Sequence, residues 1–151
     1  MIAKLKQLFS TPTQTLTAEE KAKQMNLAAA TLLLEVVYAD DQMGETEMAI
    51  LPSVLQQTLK IDAEDADELI IEAKHTRGNA TSLFEFTAEI NQHFSLEDKQ
   101  QLLLAMWQLA YADGELCRYE DQIIRRTADL LYLKHSELIQ TRNIAMQQRS
   151  S

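Results

Sequence analysis

One feature constrains this chain more than any other: a stretch of sequence that recurs 73 residues further on. Tyr38-Ala39-Asp40 returns as Tyr111-Ala112-Asp113, Glu47 as Glu120, and Ile50-Leu51 as Ile123-Ile124. Apolar residues lead into each copy at helical spacing, Ala28/Ala29, Leu32/Leu33 and Val36/Val37 in the first, Leu102, Ala105/Met106 and Leu109/Ala110 in the second. They resume after each turn, through Leu51, Val54/Leu55 and Leu59, and through Ile123/Ile124, Thr127 and Leu130/Leu131. Each copy therefore reads as a helix–loop–helix hairpin with one apolar face. Such a unit cannot bury that face alone, so two copies predict two hairpins packed against each other about a pseudo-twofold.

The rest of the sequence is also helical in character. Three glycines and two prolines in 151 residues leave a β fold short of turn residues. The fold class is all-α, a compact helical bundle of about seven helices built on the two pseudo-symmetric hairpins. At this length roughly 70% of the unfolded chain's surface can be buried, enough for one domain with a real core. Residues 1–18 read as an amphipathic segment and a polar linker, and residues 19–148 as the folded domain. Thr17 is a candidate N-cap for a helix starting near Glu19. Pro52 should kink the second helix or delay its regular start. Asp62 with Asp65 opens a third, the run RGNATS at 77–82 breaks the chain, and Leu83, Phe86/Thr87, Ile90 and Phe94 mark a fourth. Ser95 with Asp98 resembles a capping box at the head of the fifth, and a last helix runs from about Ser136 through Leu138 to Met146.

Charge narrows the partners. The formal net charge is -9, which excludes unaided nucleic-acid binding, because a phosphate backbone must be met by clustered Lys and Arg. Between residues 35 and 73 eleven acids face Lys60 alone, a surface that either is plain solvated helix or steers a basic protein or cations. The lone Cys117 rules out an internal disulfide and a multi-thiolate zinc site. No apolar run approaches the roughly 20 residues that span a bilayer, and the N-terminus lacks signal-peptide features, so the cytoplasm is the expected compartment. Ile2, Leu5, Leu8 and Phe9, interleaved with Lys4 and Lys6, form a short amphipathic piece. It suits docking on the domain or a partner better than a membrane surface, for which nine residues are a weak anchor.

The acidic turns carry the candidate site. Asp40 lies four residues after Val36, and Asp113 four after Leu109, so both continue the core-facing stripes. Glu47 shares a face with Leu51 and Val54, and Glu120 with Ile123, Ile124 and Thr127. All four carboxylates therefore point inward at the loop ends of their hairpins, where a buried anion needs a neutralising partner. Three partners fit. With Gly44 or Cys117 as N-cap, Glu47 or Glu120 falls at the third helical position and can accept backbone N–H bonds. A hard cation, Ca²⁺ or Mg²⁺, would suit oxygen ligands, although the spacing is not that of an EF-hand, and the metal ligands would then be Asp40, Glu47, Asp113 and Glu120. Arg125, Arg126 or a partner's basic residue is the third.

The turn pattern, Tyr-Ala-Asp with a glutamate seven residues after the aspartate, stands here as YADDQMGETE and YADGELCRYE. It resembles the TerB-like family of tellurite-resistance proteins, also seen as the N-terminal cytoplasmic domain of DjlA-type co-chaperones, over about residues 20–148. The second copy is the closer match. The first has Asp41 where glycine is usual, and both have Gly44 and Cys117 in place of the common serine. The resemblance implies a helical bundle whose acidic turns are candidates for metal binding. Without a His-Pro-Asp signature it does not imply co-chaperone activity.

Other chemistry is thin. His75, His93 and His135 stand apart, with no zinc or di-iron spacing, and read as surface or capping residues. No phosphate loop or nucleophile turn occurs. Cys117 at a helix start could react with soft electrophiles, tellurium species included, or simply be a lone cysteine. Trp107 and Tyr111 on one helix read as core. The expectation is a non-enzymatic module acting through protein partners in tellurite or stress resistance; the alternative is a divalent-cation-binding regulatory protein.

Overall fold

The run AAATLLLEVV dictates the centre of the molecule, since a helix made of it has no polar face to turn outward. The computed structural model describes residues 17–39, 45–79, 83–112, 116 and 118–150. Helix α1 (Ala18–Val37) is buried almost all round from Leu27 onward rather than along one stripe. Six further helices follow among the described residues: α2 (Glu45–Leu59), α3 (Ala63–Asn79), α4 (Leu83–His93), α5 (Leu96–Ala110), α6 (Arg118–Leu130) and α7 (His135–Ser150). Helices α2, α3, α4, α5 and α6 all pack on α1. The all-α class and the bundle of seven helices stand as expected.

Some of the packing partners of the two sequence copies correspond, although α2 also packs on α3 with no comparable contact of α6 with α7 among the described residues. Helix α1 contacts α2 and α5 contacts α6 within each copy; between copies α2 reaches α5 and α6 reaches α1. The helix that follows each hairpin lies against the first helix of its own copy, α3 on α1 and α7 on α5. Helix α4, between the copies in sequence, packs on α1 and α6. The core this creates is continuous, with Leu32, Leu33, Leu34, Leu51, Leu55, Ile90, Leu102, Leu103, Met106, Trp107, Leu109 and Ile124 all inaccessible to solvent or nearly so. Each such side chain contributes about 1.5–3 kcal/mol relative to an exposed position. Thr31 and Thr127, buried among them, return their hydroxyls to the carbonyls of Leu27 and Ile123, at 2.7 and 2.8 Å.

Local signals set the helix ends. The Thr17 hydroxyl accepts the Glu20 amide at 3.1 Å, Asp62 accepts that of Asp65 at 2.8 Å, and Ser95 and Asp98 close a reciprocal capping box at 3.1 and 3.2 Å. Helix α6 ends in a Schellman motif: Leu133 N–H bonds Ala128 O, Tyr132 N–H bonds Asp129 O, and Tyr132 takes the left-handed conformation at φ 60°. Three expectations shift. Helix α2 begins at Glu45, seven residues before Pro52, so the proline does not delay it. Helix α3 continues through Arg77 and Gly78 to Asn79, because Arg77 is held by contacts described below. Helix α7 starts at His135 and runs past Met146 to Ser150, with the Glu137 carboxylate accepting the Lys134 amide at 2.9 Å, the glutamate half of a capping box. The amphipathic piece at 1–9, most of the linker at 10–18, and Ala80–Ser82 lie outside the described residues. Among the described residues no helix is long and apolar enough to cross a membrane.

Candidate functional site

Both acidic turns leave their first helix in the same way. Helix α1 ends at Tyr38 (φ −99°, ψ 13°) and α5 at Tyr111 (φ −94°, ψ 5°). In each, the tyrosine N–H bonds the carbonyl four residues back at 3.0 Å, and the following alanine bonds the one three back, at 3.3 and 3.1 Å. The chain re-enters helix at Glu45 and at Arg118, which makes Glu47 and Glu120 each the third residue of its helix. That is the position a capping glutamate requires, with Gly44 and Cys117 as the residues before the helices.

Glu47 is 6% exposed and Glu120 2%, so the inward direction read from helical phase holds for both. Neither is without a partner. The helix N-termini supply favourable partial positive charge at this position. Asp40 and Asp113, the other two candidate ligands, lie outside the described residues, as do Asp41, Gly44, Gly114 and Cys117, so whether two or all four carboxylates come together falls outside them as well. Among the described residues no group of three or more His, Cys, Asp or Glu side chains is placed to hold a metal ion. Arg125, a candidate neutraliser, pairs with Asp121 at 2.9 Å on its own helix.

Two arginines that the spacing did not single out reach the turns instead. The Arg77 guanidinium, from the end of α3, lies 4.6 Å from the centre of the Tyr38 ring and 3.1 Å from Glu35. Arg142, from the middle of α7, donates its Nε hydrogen to the Tyr111 hydroxyl at 2.9 Å. The tyrosine of each motif is thus held by an arginine from the helix that follows its hairpin, once through the ring face and once through the hydroxyl. Tyr111 also lies beside the buried Trp107, with ring centroids 6.2 Å apart. No short-range pattern could have found these arginines, since they act across helices.

The histidines fall where isolated ones should. His75 and His135 are exposed, and His93 sits 3.9 Å from Glu89 one turn earlier. Burial raises the Glu89 carboxyl above its ordinary value of 4.5, with His93 offsetting part of that rise. Glu137 moves the other way: the Lys134 amide, and then the Gln100 side chain, hold it below 4.5. The acids around the start of α3 are mostly at the surface, with Asp62, just before the helix, and Glu64, Asp65, Asp67 and Glu68 exposed and Glu72 half-buried.

Against known families, the model described as "Tellurite resistance protein TerB" matches residues 26–143. That span contains both turns and all but the first turns of α1 and the end of α7. No curated protein and no solved structure matches the chain.

Proposed function

The chain belongs to the TerB family, and on that premise we propose that it is a non-enzymatic helical module that works by binding a basic protein partner in the response to tellurite or related stress. The observation that carries the partner's chemistry is the start of α3, where Asp62, just before the helix, and Glu64, Asp65, Asp67 and Glu68 in its first two turns are all exposed. A dense acidic face raises the association rate of a basic partner and makes binding salt-dependent. The test is affinity capture from the source cells with the wild-type chain and with a Glu64→Lys/Asp67→Lys/Glu68→Lys variant, read at low and high salt. A partner enriched by the wild type, lost in the variant and weakened by salt supports the reading. Equal capture by both chains, or a purified turnover activity, overturns it. Growth of a deletion strain on tellurite, with and without the complementing chain, tests the physiological half.

A second reading rests on the two buried glutamates. Glu47 and Glu120, joined by Asp40 and Asp113, would make an all-oxygen donor set of the kind a hard divalent cation prefers. Ca²⁺ or Mg²⁺ bound there would tie the two helices of each hairpin together at its turn. That would make the chain a cation-dependent regulatory protein.

A further inference from the structure

A groove runs between the start of α1 and the start of α3, with Lys23 and Asn26 on one wall, Asp65, Glu68 and Glu72 on the other, and Ile61 and Leu69 at its floor. The two apolar residues are half-buried and pack on the core, leaving the rest of their surface open to the groove. Its volume is about 210 Å³, below the roughly 300–1,000 Å³ of small-molecule pockets. It has room for one or two apolar side chains presented by a peptide, not for a cofactor.

We propose that this groove is the docking site for the chain's own N-terminal segment, residues 2–9, bound as an amphipathic helix with its apolar residues on Ile61 and Leu69 and its lysines against the acidic wall. Three observations select this occupant. Charge is complementary: the segment carries Lys4 and Lys6 and no acid, facing Asp65, Glu68 and Glu72. The apolar stripe is matched in scale, since Leu5 with Leu8 or Phe9 presents one helical turn of side chains to a two-residue floor. The tether is right: the segment joins the fold at Thr17, the N-cap of the helix that forms one wall. From Thr17 to Asn26 the helix rises about 14 Å, and residues 10–16 can span about 23 Å when extended, so the segment can fold back along α1. A linker this short gives an effective concentration in the millimolar range, enough to hold a contact that would be weak between separate molecules.

The test is amide hydrogen exchange on the full chain, read in the peptide covering residues 2–9. Docking slows exchange there by roughly tenfold or more relative to a random coil, independently of protein concentration. Glu68→Lys/Glu72→Lys removes the protection, and adding Lys4→Glu/Lys6→Glu to that variant restores it. Because restoration requires a folded groove, it also shows that the charge reversal left the fold intact. Phe9→Ser, which alters only the segment, removes the protection as well. Exchange at the random-coil rate in the wild type overturns the proposal. So does protection that appears only on raising the protein concentration, or only on adding vesicles of phosphatidylglycerol and phosphatidylcholine.

Discussion

The Nε hydrogen of Arg142 points at the hydroxyl of Tyr111 across 2.9 Å, joining the middle of α7 to the residue that ends α5 one step before the second acidic turn. Gln100 with Glu137, and Gln108 with Gln148, make further polar contacts between the same two helices. Helix α7 is therefore fixed to α5 along its length, and the end of α5, from which the turn departs, is fixed with it. The first copy reaches a comparable result by different chemistry, with Arg77 over the face of Tyr38 and paired with Glu35.

Breaking the second clamp should cost more than breaking the first. Tyr111→Phe keeps the ring beside Trp107 and leaves the guanidinium without its acceptor, so a loss of about 1–2 kcal/mol is expected in urea unfolding. Arg142→Lys should not keep the wild-type stability, because lysine carries a carbon where arginine has the donating Nε and its ammonium lies one bond further out. Arg77→Gln should cost about 0.5–1 kcal/mol, the range of a partly exposed cation–π contact. A larger loss for Arg77→Gln than for Tyr111→Phe would contradict this ordering.

Tyr132 offers a gain. It holds φ 60° at the Schellman end of α6, where a residue with a Cβ is strained, and its side chain is 79% exposed and contributes little packing. Tyr132→Gly relieves the strain at a small cost in the entropy of the unfolded chain, and a net stabilisation of about 0.5–1 kcal/mol is expected. A lower melting temperature would mean that the exposed ring makes contacts beyond those described.

What was legible in the sequence follows from the range of each interaction. Thr17, Asp62 with Asp65, and Ser95 with Asp98 act over three residues, so the residues themselves announce the caps. The inward direction of Glu47 and Glu120 follows from helical phase, which is equally local. Arg77 and Arg142 were not legible: they stand 39 and 31 residues after their tyrosines, so the 73-residue repeat does not superpose them, and only the packing of α3 on α1 and of α7 on α5 brings them in. The Schellman end was hidden because tyrosine occupies the place where glycine usually signals it. The burial of α1 on all sides is visible in its composition, but only once the helices around it are known does it outweigh the stripe.

Stability should respond to acid through Glu137. Its folded-state carboxyl is held below 4.5 by the Lys134 amide and the Gln100 side chain, so the native state binds its proton less readily than the unfolded chain does. Its contribution is therefore present above the ordinary carboxylate value and is lost as pH falls through the depressed one. Glu137→Gln should lower the melting temperature at pH 7, and the deficit should be smaller at pH 2.5, because falling pH returns the proton to the wild-type side chain and removes its advantage. An equal deficit at both values would assign the effect to packing.

The acidic turns separate the two readings of the site by a single measurement series. At the third helical position, Glu47 and Glu120 can stabilise by accepting backbone N–H bonds and by facing the helix dipole. Glu120→Gln then costs on the order of 1 kcal/mol, and Ca²⁺, Mg²⁺ or a chelator changes the melting temperature of neither protein. A bound cation behaves differently because it stabilises by mass action: at a free concentration 100 times its Kd the gain is about 2.7 kcal/mol. Glu120→Gln removes one anionic ligand oxygen and with it most of that gain, and Glu47→Gln reports independently on the first turn. Melts of wild type and both variants across a Ca²⁺ and Mg²⁺ series, each repeated with chelator, therefore decide between the two. A flat response in all three proteins removes the cation. A rise in the wild type that one variant loses and the other keeps assigns the cation to one hairpin alone, because a site shared by both turns would need both glutamates.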